Sequence, residues 1–127
     1  MPARADFNPV EIGEYLPHVC FVDVERTTGR YKFRLIGSET VRVVGYEITG
    51  KYLDEIPLML RNLKDRYDWL VKEKRPYVIS DKLNWSDKSF FDFYSLGLPL
   101  SNNDRDVDIL MYGSVYTLED DSLSNLT

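Results

Sequence analysis

The stretch from 30 to 56 constrains the fold most, because it combines a predicted strand with two short helical segments in very few residues. Aromatic and apolar side chains at 31–36 favour a β-strand. Ser38 is then expected to cap a short helix, and Gly45 to end it, because glycine adopts the left-handed conformation without a Cβ penalty. A second short element is expected at 48–56. A strand followed by two such segments is typical of a chain that covers one side of a pocket.

The segments outside this stretch predict a sheet covered by helices. Residues 19–25 form a β-rich run that should pair with 31–36 as a hairpin. A longer helix is expected from Pro57 to about Lys74, with apolar residues at helical spacing. Three more strands are expected at 77–85, 90–98 and 106–118. Two strands, then helices, then three strands predict an α+β fold, with a five-stranded antiparallel sheet and helices covering one face.

The beginning of the chain predicts a further helix. Asn8 suits an N-cap and Pro9 suits the first helical position. The pattern indicates a short amphipathic helix that ends at Pro17. The expected divisions of the chain are a helical cap at 1–17, the domain at 18–118 and a flexible acidic tail at 119–127.

A pattern in the central stretch is shared with a known family. The residues that carry it are Gly45, Tyr46, Gly50, Lys51 and Leu53. Together with the opening segment, the FRLIGS strand end and the LPLSNNDRDVDILMYGSVY segment, they resemble a PAS domain of a bacterial subgroup that often stands alone. The resemblance covers most of the chain. It implies a non-catalytic module for sensing or protein interaction in bacterial signal transduction.

Charge and hydropathy argue against two classes of partner. A net charge of −5 over 127 residues disfavours nucleic acid, whose phosphates are bound mainly by Lys and Arg. No apolar run approaches the roughly 20 residues that span a bilayer, so no membrane partner is expected. The single cysteine, Cys20, cannot form an internal disulfide, and no signal-peptide pattern is present, which indicates the cytoplasm. The alternative that the chain is a piece of a longer protein stays open.

Few side chains are placed for catalysis. His18 is the single histidine, and it has no partner at a spacing typical of a metal site or a catalytic pair. Cys20 lies within an apolar strand, where an inert buried thiol is typical. Asp23 and Glu25 share a strand face, yet acidic side chains at strand ends are commonly solvated. No metal site and no catalytic set are therefore predicted.

The sequence does not predict a cofactor. The resemblance to PAS domains implies that a haem ligand would come from the helical side of the pocket. The residues 58–74 contain no histidine, so haem is disfavoured, and Met59 is the candidate ligand that remains there. Light-sensing PAS domains of the flavin type carry a reactive cysteine in an Asn-Cys-Arg-Phe-Leu motif. This chain lacks the motif, so a covalent flavin photocycle is also disfavoured.

The predicted pocket lies between the sheet and the helices. Its expected ligand-binding residues are apolar or carry a phenol: Phe33, Leu35, Tyr46, Tyr52, Met59, Leu63, Tyr67, Ile109 and Met111. An apolar cavity with a few hydroxyl groups is typical of a small-molecule site. The same residues would equally form a plain core. Arg34 is expected to face away from this pocket and to pair with the N-terminal helix.

Three functional hypotheses follow. The first is a PAS-like sensor that forms a homodimer or binds a signalling protein, with a small-molecule ligand in the pocket. The second is an enzyme on a curved-sheet α+β fold resembling ketosteroid isomerases, with Asp23 or Asp92 as base and a tyrosine as oxyanion donor. The third is a structural adaptor with a filled core. Because no reacting groups are in register, the first is favoured and the chain is predicted not to be an enzyme.

Overall fold

The computed structural model describes residues 1–6, 13–45, 47–82 and 91–118, with the backbone alone at 58–62, 81–82, 91–93 and 117–118. The strands and α-helices are β1 Val19–Glu25, β2 Arg30–Ile36, α1 Ser38–Val44, α2 Pro57–Glu73, β3 Tyr77–Lys82, β4 Phe91–Leu100 and β5 Ile109–Leu118. Short 3-10 helices lie at Arg4–Asp6, Gly13–His18 and Leu53–Glu55.

The strands of the described residues form one antiparallel sheet in the order β2, β1, β5, β4, β3. β1 and β2 pair as the predicted hairpin, and the three later strands, β3, β4 and β5, pair consecutively as a meander. β5 also pairs with β1, which places the last strand at the centre of the sheet. The predicted α+β fold with a five-stranded antiparallel sheet is thus confirmed. Neither α1 nor α2 has the length and hydropathy needed to cross a membrane.

The helices cover one face of the sheet and bury an inner cluster of side chains against it. The helical side of the inner cluster includes Val43, Ile48, Leu53, Leu63, Tyr67 and Leu70. The strands contribute Cys20, Val22, Tyr31, Phe33, Leu110 and Tyr112. Removal of this apolar surface from water is the main favourable term in folding.

Strand alternation sends the neighbouring side chains to the other face of the sheet. There, Val19, Phe21, Leu100, Ile109 and Met111 form the outer cluster, with Leu35 and Leu98 packed against it. The guanidinium group of Arg4 lies 4.2 Å from the centre of the Phe21 ring. The beginning of the chain therefore contacts the outer face.

A β-bulge determines which side chains at the end of β2 face the helices. Leu35 pairs with Phe21, and Phe33 pairs with the next residue of β1, so Arg34 is an extra residue with none opposite it. Phe33 and Ile36 face the helices as a result, whereas Leu35 packs against the outer cluster.

Glycine residues lie at both ends of α1. Gly37 is the N-cap and the helix start has no side-chain cap hydrogen bond, so the prediction that Ser38 caps this helix is wrong. A Cβ at Gly37 would lie 2.4 Å from the carbonyl oxygen of Pro17, and this close approach requires a glycine. Gly45 ends the helix with a φ of 98° in the left-handed region, as predicted.

The predicted N-terminal helix differs from the structure at its end. Asn8 and Pro9 lie outside the described residues. Gly13–His18 is a 3-10 helix that contains Pro17, so Pro17 does not end the helical segment. The fixed φ of proline is compatible with 3-10 geometry, which explains the difference.

The last strand begins later than predicted, at Ile109 instead of Asp106. The side-chain oxygen of Asn103 accepts hydrogen bonds from the backbone amides of Arg105 and Asp106, at 2.9 and 2.8 Å. These bonds stabilise a loop where a strand was expected. The predicted end of β3 at 85 and the tail at 119–127 lie outside the described residues.

Candidate functional site

A cavity of about 50 Å³ lies between the sheet and the helices. Its apolar lining consists of Phe33, Ile36, Ile48, Leu63 and Ile79. The other lining side chains carry a hydroxyl, thiol or guanidinium group and belong to Cys20, Thr40, Arg66, Tyr67, Tyr77, Ser95, Tyr112, Ser114 and Tyr116. The cavity thus combines apolar surface with many hydrogen-bonding groups.

Hydrogen bonds link several of these polar groups to one another. The Cys20 thiol donates to Thr40 Oγ1 at 3.6 Å, and Thr40 Oγ1 is also hydrogen-bonded to the Tyr116 hydroxyl at 3.2 Å. The hydroxyls of Ser95 and Ser114 lie 3.1 Å apart. Burial raises the pKa of Tyr116 to about 12 and raises the pKa of the Cys20 thiol. These groups therefore stay neutral at physiological pH.

A row of aromatic rings lies between α2 and the sheet, with rings from β2, β5 and β3. Tyr31 and Tyr67 have ring centres 5.3 Å apart, and Tyr67 and Tyr112 have centres 5.1 Å apart. The row continues from Tyr112 to Tyr77 at 6.2 Å and from Tyr77 to Trp69 at 5.9 Å. Such ring pairs stabilise the packing of the helix on the sheet.

Tyr67 lies within this row and has an unusual hydroxyl group. Its side chain is 4% exposed, and burial raises its pKa well above the ordinary value. Within the part of the chain that the structure describes, this hydroxyl has no hydrogen-bond partner. By contrast, the neighbouring Tyr31 donates to Asp68. Buried tyrosine hydroxyls usually have a partner, so the Tyr67 hydroxyl is available to a molecule in the cavity.

A family model for the PAS domain matches residues 1–113. The chain belongs to the PAS domain family. No curated protein matches it in sequence.

Solved structures share the fold of this PAS domain at low sequence identity. The PAS domain of BvgS from Bordetella pertussis has a TM-score of 0.67 and 15% identity, over 97% of this chain and 93% of that one. A light-oxygen-voltage domain studied with a flavin analogue has a TM-score of 0.63 and 10% identity, over 92% and 89%. A sensory box histidine kinase/response regulator from Burkholderia thailandensis E264 has a TM-score of 0.53 and 11% identity, over 94% and 92%. At such identities the likeness shows the fold alone.

The structure separates the residues that were predicted to bind a ligand. Phe33, Leu63 and Tyr67 line the cavity of this PAS domain. Leu35, Ile109 and Met111 lie at the outer cluster instead, on the opposite face of the sheet. The bulge at Arg34 moves Leu35 to that face. In β5 the prediction took Ile109 and Met111, whereas Leu110 and Tyr112 belong to the inner cluster.

Tyr52, another predicted ligand-binding residue, lies outside the cavity at the edge of the sheet. It forms an isolated β-bridge with Lys32, and its hydroxyl donates to Glu25. The guanidinium of Arg30 lies 3.7 Å from the centre of its ring. These contacts attach the segment before α2 to the β1–β2 hairpin. The remaining two predicted side chains, of Tyr46 and Met59, lie outside the described residues.

Sequence reasoning missed the hydroxyl-bearing residues that line the cavity from β5. Tyr112, Ser114 and Tyr116 alternate along the strand and share one face. This spacing of two was visible in the sequence, but the apolar residues Ile109 and Met111 were preferred as pocket lining.

The candidate catalytic groups have structural partners in this PAS domain. His18 Nδ1 donates to the carbonyl oxygen of Ser114 at 3.1 Å. Asp23 Oδ1 forms an ion pair with Arg34 Nε at 3.1 Å. Arg34 was expected to pair with the N-terminal helix, but its position in the bulge brings it to the neighbouring strand. The Asp92 side chain lies outside the described residues.

The described side chains include no metal-binding group. No three His, Cys, Asp or Glu residues among them lie close enough together to hold a metal ion. The cavity chemistry of the described residues is therefore that of neutral hydroxyl groups, one thiol and one guanidinium.

Proposed function

We propose that this PAS domain is a non-catalytic sensory module of bacterial signal transduction in the cytoplasm, which binds a small molecule in the cavity between the sheet and the helices. The observation that carries the proposal is the cavity itself, with the Tyr67 hydroxyl that no described residue satisfies. The shared fold with a sensory box histidine kinase/response regulator supports a role in sensing.

The size of the cavity limits the ligand. A volume of about 50 Å³ is several times the roughly 10–15 Å³ that one water molecule needs. It is well below the roughly 300–1,000 Å³ of sites for drug-sized ligands. The proposed ligand is therefore a molecule of a few heavy atoms, and a larger one would require the helices to move.

We propose a second copy of this chain as the partner that receives the signal. Four large side chains, Val78, Tyr94, Leu96 and Val115, are 75%, 50%, 41% and 48% exposed and form the outer patch. They lie on adjacent strands, with Val78 opposite Leu96 and Tyr94 opposite Val115. Contiguous exposed apolar surface marks interaction sites. Because these four side chains carry no charge, two copies related by a twofold axis would bury them without an unpaired charge.

Ligand binding in the cavity is tested with a filling substitution. Leu63→Trp places a larger side chain in the cavity, whereas Lys64→Trp changes the next residue of α2, which is exposed. Ligand-observed NMR with a collection of small fragments, and native mass spectrometry of the purified protein, should detect binding to the wild type and to Lys64→Trp. Leu63→Trp should lose it. Binding that survives in Leu63→Trp would contradict the proposal.

The dimer is tested by sedimentation velocity. Leu96→Lys places a charge in the outer patch and should shift the protein towards the monomer. Tyr15→Lys provides the control, because Tyr15 is 59% exposed but lies outside the outer patch. A wild type that sediments as a monomer, or a dimer that Leu96→Lys leaves intact, would refute this assembly.

A further inference from the structure

Two phenol groups in the cavity carry protons that no described residue accepts. The Tyr67 hydroxyl has no hydrogen-bond partner among the described residues. The Tyr112 hydroxyl accepts a hydrogen bond from Tyr77 at 3.3 Å. Its own proton has no hydrogen-bond acceptor among the residues that the structure describes. The rings of Tyr67 and Tyr112 lie side by side, with centres 5.1 Å apart and an angle of 36° between their planes. A ligand in the cavity therefore meets two neighbouring donors.

The protonation of these groups determines what they can bind. Burial raises the pKa of both Tyr67 and Tyr112 well above the ordinary value, so each phenol keeps its proton at physiological pH. A protonated phenol without an acceptor offers a hydrogen bond to an oxygen. A carbonyl oxygen has two lone pairs and can accept from both groups at once.

The rest of the cavity favours an uncharged ligand. Phe33, Ile48 and Leu63 supply apolar surface that a charged group would have to contact without water. Burial of an ion without full pairing is far more costly than burial of a neutral polar group. Arg66 also lines the cavity, so a carboxylate is the competing ligand that the experiment has to compare.

We infer that the cavity takes a small uncharged carbonyl compound, whose oxygen accepts hydrogen bonds from Tyr67 and Tyr112 while its apolar part packs against Phe33 and Leu63. This inference rests on the proposed binding of a ligand in the cavity. It adds the chemical class of the ligand and the residues that distinguish it.

Three probes of similar size test the ligand class by NMR titration of the backbone amides. Acetone carries the carbonyl oxygen, 2-methylpropene has nearly the same shape without an acceptor, and acetate carries a charge, and all three have the few heavy atoms that the cavity allows. The ketone should bind most tightly. Tyr67→Phe should weaken ketone binding about tenfold, the effect of one lost hydrogen bond, and should leave binding of the alkene unchanged.

Tyr31→Phe is the matched control for the loss of a hydroxyl. Its ring is buried next to Tyr67, but its hydroxyl donates to Asp68 and it does not line the cavity. Tyr31→Phe should lower the thermal midpoint by about 3–6 °C and keep the ketone affinity. Tyr67→Phe should not lower the midpoint, because its hydroxyl has no partner to lose.

The outcomes separate the ligand class from the proposed function. Ketone binding that is no tighter than alkene or carboxylate binding overturns the carbonyl inference, as does ketone affinity that Tyr67→Phe leaves unchanged. A midpoint that falls equally in Tyr67→Phe and Tyr31→Phe also overturns it, because the Tyr67 hydroxyl then has a partner. In each case the fragment collection and Leu63→Trp still decide whether the cavity binds a ligand.

Discussion

Gly97 shows how a single missing side chain shapes the cavity. It lies in β4 between Tyr77 of β3 and Tyr112 of β5. A Cβ at this position would lie 1.9 Å from the Tyr77 ring and 3.0 Å from the Tyr112 ring. Both rings line the cavity. The glycine therefore allows two tyrosines to pack directly over the backbone of the sheet.

Gly97→Ala should destabilise the protein by about 1–3 kcal/mol, because the added methyl group forces the Tyr77 ring out of its position. Gly113→Ala is the control, since a Cβ on this neighbouring strand would meet nothing within 4 Å. That change should be neutral or slightly stabilising. Urea unfolding measures both, and equal effects of the two substitutions would show that Tyr77 adjusts freely.

Tyr116 should make stability depend on pH in the alkaline range. Burial raises its pKa from 10.0 to about 12 in the folded protein, so the folded state keeps a proton that the unfolded chain loses above pH 10.0. Its stabilising contribution is complete below pH 10.0 and is lost as the pH rises towards 12. Tyr116→Phe should reduce the alkaline slope of the free energy of unfolding by up to about 1.4 kcal/mol per pH unit. Urea unfolding at several alkaline pH values gives both slopes, which should differ.

At the scale of the element, the bulge in β2 decides which residues reach the cavity. Arg34 is inserted between two regular pairs, Leu35 with Phe21 and Phe33 with Val22. Simple alternation would place Phe33 and Leu35 on one face. The extra residue reverses this relation and brings Ile36 to the cavity.

Deletion of Arg34 should therefore be tolerated. It removes the extra residue and leaves the pairs on both sides in a regular register, at the cost of the exposed ion pair with Asp23. Deletion of Lys32, two positions earlier, should destabilise the protein by at least about 2 kcal/mol more, because it turns Tyr31 to the wrong face. Denaturant unfolding of the two deletion variants tests the difference, and similar losses would mean that the bulge itself is required.

At the scale of the whole molecule, the beginning of the chain contacts regions that are distant in sequence. The carbonyl oxygen of Pro2 accepts a hydrogen bond from the amide of Ser101 at 2.8 Å. Arg4 lies over the Phe21 ring of the outer cluster. The backbone of Pro17 approaches Gly37 so closely that a Cβ there would collide with it. The described parts of this segment, 1–6 and 13–17, thus pack against the rest of the domain.

Removal of residues 1–17 should expose Phe21 and the rest of the outer cluster, and cause aggregation or a change in oligomeric state. Size-exclusion chromatography and solubility measurements test this. Removal of 119–127 is the control, because these residues were predicted to be a flexible tail. An unchanged elution volume after removal of 1–17 would refute the packing argument.

The order of strands and helices, and the family, could be predicted from the amino-acid sequence. Strand and helix periodicity, the hairpin at 19–36 and the helix end at Gly45 are local properties, so they could be read from neighbouring residues. The family pattern between Gly45 and Leu53 is local as well. The order of elements predicted an α+β layout, and the resemblance to a PAS domain predicted the fold itself.

The face that each strand turns to the helices could not be predicted from the sequence, because it depends on long-range pairing. Alternation shows that every second residue of a strand lies on the same face. The pairing register with a distant strand determines which of the two faces is buried under the helices. For this reason Tyr112 and Ser114, instead of Ile109 and Met111, line the cavity. The sequence also could not show that the Tyr67 hydroxyl lacks a hydrogen-bond partner among the described residues, because this depends on every group that the fold brings near it.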